Sequence, residues 1–433
     1  MSKKDWSQYR SIINKEVVPA LGCTEPITIS LAAACAAETL GVFPERVTVL
    51  VSGNLLKNGM GVGVPGTGAT GLDIAAAVGV TGGKPKLALE VLRDLTEEQV
   101  EQGRRLLAEG KISVNVADVE ELLYAEATVA AGGQTARCVI AREHAGIVLV
   151  EKNGEVLLDK RQPVSVETSA PWPLTVREVF EYATEAPLED IDFILEAARM
   201  NEAIAAVGLE SDWGLQVGRS MDRDLEAGLR SDDIVSYATK LTAAASDARM
   251  EGAPLPVMSN SGSGNQGLTA TLPVVAFARR RGDPEESLVR ALIMSHLTAI
   301  HLKHHLGRLS ALCGASLAAT AAGCGVVLLL GGGLKEVEST IRNTLGDIAG
   351  MICDGAKTSC ALKVASCVEA AVTAALLAMK GISIPGRDGI MEDDIEACIR
   401  NIGRIGSVGM VETDKVILDI MTSKGNGPAA KAV

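Results

Sequence analysis

The hydrophobic period of this chain changes twice along its 433 residues, and this change constrains the fold more than any other feature. Residues 5–41 have a helical period, whereas residues 45–165 contain alternating segments such as VTVLVSG and YAEATVAAGG, which indicate strands. Two hairpin turns are predicted there, at Gly132-Gly133 and Asn153-Gly154. From residue 174 onward the period is helical again. We therefore expect an α+β fold, a large and mostly helical domain with an inserted α+β unit whose sheet is largely antiparallel.

The same change of period predicts the domain bounds. The helical domain is expected to comprise residues 1–44 and 170–433, and the inserted α+β domain residues 45–169. A proline-bearing segment at residues 169–173 (SAPWP) reads as the linker between them. The last residues, 423–433 (SKGNGPAAKAV), are expected to be disordered.

The core must be built from small and aliphatic side chains, because the chain has 45 glycines but only 4 Phe, 4 Tyr and 3 Trp. Residues 311–334 carry no charge and are long enough to cross a membrane. A run of three glycines ends this stretch, and no comparable second span follows it. We therefore interpret it as a buried helix of a soluble protein, in which small residues let neighbouring helices approach closely.

The charge balance argues against two classes of partner. The formal net charge is −13, which disfavours nucleic acid and an anionic membrane surface. The N-terminal sequence MSKKDWSQYR lacks the apolar stretch of a secretory signal, so we expect a cytoplasmic protein whose nine cysteines are thiols or ligands. The expected partner is a small molecule, and a homodimer stays open.

Glycine-rich loops carry the clearest polar groups of the sequence. The pattern G-x-G-x-x-G occurs three times, but so many glycines produce it by chance, and none of the matches suits dinucleotide binding. The loops VSGNLLKNGMGVGVPGTG and SNSGSGNQG can instead surround an amino-acid carboxylate with N–H donors and hydroxyls. The alternative is that they are solvated turns. The candidate substrate-binding residues are Asn54, Lys57, Asn58, Ser261, Asn265 and Gln266.

Four of the five histidines lie between residues 296 and 305. His301 and His305 are four residues apart, a spacing that suits a metal on one face of a helix. The segment has no H-E-x-x-H pattern and is polar on several faces, so we favour hydrogen-bonding roles for these histidines.

The nine cysteines contain no C-x-x-C pair, which excludes zinc ribbons, thioredoxin-like sites and ferredoxin-type clusters. Four cysteines lie beside polar residues or glycines that interrupt the apolar pattern. Two of them, Cys353 and Cys360, are seven residues apart, and a continuous helix would separate their Cα atoms by about 10.5 Å. If they share a cluster, residues 353–357 must therefore form a loop. The other five lie in apolar segments and are expected to be buried hydrophobes. The first group is Cys23, Cys313, Cys353 and Cys360, and the second is Cys35, Cys138, Cys324, Cys367 and Cys398.

Five motifs occur in the order PALGCTEP, VSGNLLKNGMGVGVPGTG, SNSGSGNQG, HHLGRLSALCGAS and ICDGAKTSCALK. Together they resemble the L-cysteine desulfidase family, formerly an uncharacterised family, which is related to the α-subunit of iron–sulfur L-serine dehydratases. The resemblance covers residues 15–420. It implies an oxygen-labile 4Fe-4S cluster with one open iron and three ligands at Cys313, Cys353 and Cys360, and it makes Cys23 the candidate acid/base residue.

The reaction that this resemblance implies is a β-elimination, in which L-cysteine and water give pyruvate, ammonia and hydrogen sulfide. The open iron acts as a Lewis acid, and Cys23 as thiolate removes the Cα proton. Three alternatives stay open. They are an L-serine dehydratase with the same cluster, a pyridoxal phosphate enzyme with Lys57 or Lys357 as Schiff base, and a non-enzymatic redox or amino-acid sensor.

Overall fold

Helices dominate the described part of the chain, which comprises residues 6–161, 172–307 and 309–424 of a computed structural model. Most of the predicted linker at residues 169–173 and nearly all of the predicted tail at residues 423–433 lie outside these ranges. The helices are α1 (Ser7–Glu16), α2 (Thr24–Leu40), α3 (Gly53–Gly59), α4 (Leu72–Gly82), α5 (Glu97–Ala108), α6 (Val176–Glu185), α7 (Leu188–Ile191), α8 (Leu195–Glu210), α9 (Val217–Glu226), α10 (Ile234–Glu251), α11 (Gly264–Arg281), α12 (Glu285–Leu306), α13 (Gly314–Leu329), α14 (Leu334–Ile348), α15 (Cys360–Ala378), α16 (Ile395–Arg404) and α17 (Val411–Ser423). Shorter helical turns lie at Pro85–Glu90, Asp192–Ile194 and Ile405–Gly409.

The strands form one large sheet and two small ones. The strands are β1 (Pro19–Leu21), β2 (Arg46–Val51), β3 (Gly63–Val64), β4 (Ala69–Thr70), β5 (Ile112–Val116), β6 (Tyr124–Ala131), β7 (Gln134–Ala141), β8 (Ile147–Lys152), β9 (Glu155–Asp159) and β10 (Pro256–Met258). The large sheet has the order β5-β2-β6-β7-β8-β9, and only the pair β2–β5 is parallel. The predicted α+β class, with a helical body and a largely antiparallel sheet, is confirmed.

Both predicted hairpin turns are present. Gly132 and Gly133 connect β6 to β7 with φ values of +55° and +79°, and Asn153 and Gly154 connect β8 to β9 with +52° and +84°. Positive φ at both central residues matches the right-handed twist of the flanking strands, and this requirement selects Gly and Asn.

The apolar core has two large parts. Buried side chains of α2 share a core with the large sheet and with α4, whereas Ile13 of α1 packs into the core of the helical body. The predicted domain bounds stay a prediction, but this packing joins α2 to the sheet rather than to the helices around α10–α15.

The uncharged stretch at residues 311–334 forms the buried helix α13, as predicted. A Cβ atom on Gly325 would lie 2.7 Å from the Ala291 carbonyl oxygen of α12, so glycine is needed for this close approach. Among the described residues, one helix, α15, is long and apolar enough to cross a membrane. Half of its apolar stretch is buried inside the protein, where it packs on α10, α13 and α14.

A small antiparallel pair connects distant parts of the chain. Strand β1 pairs with β10, with Pro19 opposite Met258 and Leu21 opposite Pro256. This pairing holds the start of α2 beside the loop that precedes α11, and so brings two of the predicted motifs together.

Candidate functional site

One cavity, which we call the cysteine cavity, collects residues from all five sequence motifs. It lies where the start of α2, the end of α3 and the N-terminal ends of α11, α13 and α15 meet. Its wall contains the four cysteines singled out in the sequence, Cys23, Cys313, Cys353 and Cys360.

The backbone holds Cys313 beside Cys353. The Cys313 N–H donates to the Met351 carbonyl oxygen at 2.9 Å, and the Cys353 N–H donates to the Ala311 carbonyl oxygen at 2.7 Å. These reciprocal bonds form an isolated antiparallel bridge between two loops. Two thiols that lie 40 residues apart in sequence therefore line the same wall.

The segment between Cys353 and Cys360 is not helical, as the sequence required for a shared site. Cys360 is the first residue of α15, and residues 353–357 form a loop. Gly355 has φ +91°, and a Cβ atom there would lie 2.2 Å from the Lys57 carbonyl oxygen. Only glycine satisfies both conditions, so Gly355 allows the loop to turn against α3.

Burial raises the pKa of two of these thiols, Cys313 and Cys360. Burial, followed by the neighbouring Cys353 and Cys360 thiols, raises the pKa of Cys313 to about 12. Burial is also the main reason why the pKa of Cys360 is raised. A cationic group that binds all three sulfurs would displace their protons, because it stabilises the thiolates.

The acidic residue in this loop is engaged by cations. Lys357 Nζ lies 2.6 Å from Asp354 Oδ2, and Lys363 Nζ contacts Oδ1 of the same carboxylate. Burial opposes ionisation of Asp354, but the hydrogen bonds from the two lysines outweigh it and lower its pKa to about 2. The carboxylate therefore anchors the loop.

Cys23 is the N-cap residue of α2, and its side chain lies at the cavity wall. Its Sγ donates to Glu25 Oε2 at 2.8 Å, and Asn58 Nδ2 donates to the other carboxylate oxygen at 3.2 Å. Burial, followed by the charge of Glu25, raises the pKa of the Cys23 thiol well above its ordinary value. The pair is thus a neutral thiol and a carboxylate.

His144, in the turn between β7 and β8, stabilises the ionised Glu25 carboxylate. Burial alone would raise the pKa of Glu25, but His144 and the Cys23 hydrogen bond hold it well below its ordinary value. His144 Nε2 lies 3.9 Å from Glu25 Oε1, and the His144 carbonyl oxygen accepts from Thr28 Oγ1 at 2.9 Å. The turn between β7 and β8 therefore reaches the candidate acid/base pair.

The six predicted substrate-binding residues are divided among three cavities. Asn58, Asn265 and Gln266 line the cysteine cavity. Asn54 and Lys57 line a cavity beneath α17, where both side chains bond to Asp414. Ser261 lines a third cavity beside Trp172. The structure therefore brings only the first three together with the four cysteines.

The cavity wall also contains charged residues that the sequence did not single out, among them Glu25, Arg249 and Lys303. Glu25 stands inside the quoted motif GCTEP, so its position two residues after Cys23 was the available signal. Arg249 lies in the last turn of α10, and Lys303 lies in the histidine-rich part of α12; both line the cysteine cavity. Nothing in their local sequence distinguishes them from surface cations, because only tertiary packing buries them.

His301 has a hydrogen-bonding role, as predicted for the clustered histidines. Trp172 Nε1 donates to its Nδ1 at 2.9 Å, and its Nε2 lies 2.7 Å from Glu396 Oε2. The ligand atoms of His301, His305 and Glu396 lie within 4.8 Å of one another, but both ring nitrogens of His301 are already engaged.

The sequence of this chain is similar to those of known proteins. The sequence pattern of the serine dehydratase alpha chain family matches residues 86–419. A UPF0597 protein of Oleidesulfovibrio alaskensis is 61% identical over 428 residues, which cover 98% of this chain and 100% of the relative. UPF0597 proteins of Aeromonas hydrophila and Bacteroides fragilis are each 49% identical, over 99% and 98% of this chain and 98% and 100% of the relatives, respectively. The chain belongs to the serine dehydratase alpha chain family.

Proposed function

We propose that this chain is an iron–sulfur-dependent lyase that converts L-cysteine and water to pyruvate, ammonia and hydrogen sulfide by β-elimination. Membership of the serine dehydratase alpha chain family supports a lyase of this class. The observation that carries the proposal is that Cys313, Cys353 and Cys360 share one cavity with Cys23.

The three thiols suit an iron–sulfur cluster. Thiolates are the ligands that such clusters use, and the fold provides three from two loops and a helix start. The acidic side chain between them, Asp354, is held by two lysines. When bound, a 4Fe-4S cluster with one open iron supplies a Lewis acid that makes the substituent on Cβ a better leaving group.

Cys23 and Glu25 supply a route for the substrate's Cα proton. Glu25 Oε2, at 2.8 Å from Cys23 Sγ, is positioned to take the thiol proton, and the resulting thiolate then removes the proton from Cα. The raised pKa of Cys23 and the lowered pKa of Glu25 both make the first transfer uphill. The proton held by Glu25 can pass to the departing sulfide, and the pair then returns to its starting state.

Two unpartnered oxygens suit the substrate's ammonium group. Asn58 Oδ1 and Gln266 Oε1 are buried without a hydrogen-bond partner among the described residues. The Asn58 amide is oriented by its donation to the Glu25 carboxylate, so its oxygen is free to accept. A bound ammonium would satisfy acceptors that are otherwise costly to bury.

L-serine is the second candidate substrate, because the matching family is named for serine dehydratase. The pyridoxal phosphate alternative has less support. Lys57 is paired with Asp414 and Lys357 with Asp354, and neither lysine lines the cysteine cavity.

We place the enzyme in the cytoplasm, because free thiols and a cluster of this kind need a reducing compartment. A homodimer also stays a prediction.

The test is an assay of anaerobically purified protein with L-cysteine and, separately, L-serine, in which pyruvate, ammonia and sulfide are measured. We expect pyruvate and sulfide in equal amounts from L-cysteine, at a higher kcat/KM than pyruvate from L-serine. The Cys23→Ala variant is expected to keep its iron but to lose turnover. Pyruvate from neither amino acid would contradict the proposal, and retained turnover in Cys23→Ala would remove Cys23 from the mechanism.

A further inference from the structure

Arg249 is a buried cation that has no anionic partner among the described residues. Its side chain is 3% exposed and lines the cysteine cavity. Its Nε donates to the Gly22 carbonyl oxygen at 3.1 Å, and its Nη1 lies 3.4 Å from the sulfur of Met250. Within the described ranges, no carboxylate lies within 4.0 Å of the guanidinium, and Nη2 makes no hydrogen bond.

The nearest acids in sequence are committed elsewhere. Asp247 Oδ2 accepts from the Gly218 N–H at 3.0 Å, at the start of α9. Glu251 accepts from the Gly214 N–H. The acid in the cavity itself, Glu25, is engaged by Cys23 and Asn58.

The guanidinium is also fixed in place. A Cβ atom on Gly264, the first residue of α11, would lie 2.2 Å from Arg249 Nε and 2.8 Å from Nη2. Glycine at this position therefore lets the arginine lie against the start of α11. The same helix start contributes Asn265 and Gln266 to the cavity.

A buried guanidinium is costly unless an anion accompanies it, and planar guanidinium groups match carboxylates in geometry. We propose that Arg249 binds the α-carboxylate of the substrate, while Asn58 Oδ1 and Gln266 Oε1 accept from its α-ammonium. This inference rests on the proposed function and deepens it. It restricts the substrates to free α-amino acids and excludes amines, amino-acid esters and amides.

A different role would be to offset the negative charge of the three cysteine thiolates. The two roles differ in what is lost when the charge is removed. Loss of carboxylate recognition weakens binding of the free acid alone, whereas loss of charge compensation releases iron and leaves the preference for the acid unchanged.

The test is calorimetric titration of the anaerobic iron-loaded protein with L-alanine, which has no β leaving group, and with L-alaninamide, which lacks the carboxylate. We expect the wild type to prefer L-alanine. In Arg249→Gln, L-alanine should bind at least about 30-fold more weakly, as for other buried charge pairs that lose one partner, while L-alaninamide binding and iron content change little. Arg249→Lys should recover part of the affinity.

Lys240→Met provides the matched control, since Lys240 lies on the same helix but pairs with Asp222 outside the cavity. It should bind L-alanine like the wild type. Equal binding of L-alanine and L-alaninamide by the wild type would overturn the proposal, as would iron loss in Arg249→Gln with an unchanged preference. Absence of turnover with L-cysteine would contradict the proposed function alone, because L-alanine binding is measured without turnover.

Discussion

Arg249 and Lys57 are both buried cations near the cysteine-bearing loops, but among the described residues only Lys57 has an anionic partner. Lys57 is 1% exposed, forms an ion pair with Asp414 of α17, and its Nζ lies 3.4 Å from the Cys353 carbonyl oxygen. Arg249 faces the cysteine cavity with no carboxylate among the described residues. A buried cation that is paired within the chain holds elements together, whereas one that has no anionic partner among the described residues can bind an anionic ligand.

The Lys57 contact belongs to a larger connection behind the cavity. Asp414 of α17 also accepts from Asn54 Nδ2 at 3.1 Å, so two residues of α3 hold α17. In turn, the Ala356 N–H donates to the Asn58 carbonyl oxygen at 3.1 Å. Helix α3 therefore connects α17 to the loop that carries Cys353.

The largest expected effect is on the free energy of unfolding, in which substitutions of the two cations should differ. Lys57→Met leaves Asp414 without its cation and should lower the free energy of unfolding by about 3 kcal/mol or more. Arg249→Met should not lower the stability of the protein measured without substrate, because it removes a costly buried charge that has no carboxylate partner among the described residues. Thermal unfolding of both ligand-free variants checks this contrast.

Glu412→Gln is the control for this comparison. Glu412 pairs with Lys415 on the same helix, but both side chains are largely exposed, so the loss should be below about 1 kcal/mol. If Lys57→Met and Arg249→Met lowered the melting temperature equally, the distinction between the two cations would be wrong.

The next effect concerns Gly355, which lies between α3 and the cysteine cavity. Gly355→Ala places a methyl group against the Lys57 carbonyl at an unfavourable φ and should displace the loop. We expect iron affinity to fall about 10- to 100-fold, as for other residues that support metal ligands. Gly350→Ala is the control, since a Cβ atom there meets nothing within 4 Å. Unchanged iron retention in Gly355→Ala would show that the loop does not need its present shape.

The last effect extends the comparison to a buried anion. Burial raises the pKa of Asp247 from 3.8 to about 6, against backbone hydrogen bonds that include Gly218. Because the folded state holds this proton more tightly than the unfolded state, Asp247 lowers stability as pH rises from about 4 to 6, and the loss is constant above that. Asp247→Asn should remove this part of the pH dependence in denaturant titrations at several pH values. An identical slope in both proteins would contradict the assignment.

The features of the fold that depend on neighbouring residues in the sequence could be predicted from the sequence. The Gly132-Gly133 turn, the buried helix α13 and the break at Gly355 each follow from backbone conformation or hydrophobic period. The partners of Cys23 could not be predicted in this way. Arg249 and His144 reach the site through the pairing of β1 with β10 and through the turn after β7, and neither contact has a local sequence signal. For the same reason Lys57 was assigned to substrate binding, although tertiary packing gives its charge to Asp414.

Iron and acid-labile sulfide analysis of anaerobically purified protein shows whether Cys313, Cys353 and Cys360 hold a cluster in the cysteine cavity. We predict about four iron and four sulfide ions per chain, as for a 4Fe-4S cluster, and loss of most of both in Cys353→Ser. Cys324→Ser, which changes a buried cysteine of α13 outside the cavity, should keep them. Wild-type protein without iron, or Cys353→Ser with full iron and sulfide, would contradict the claim.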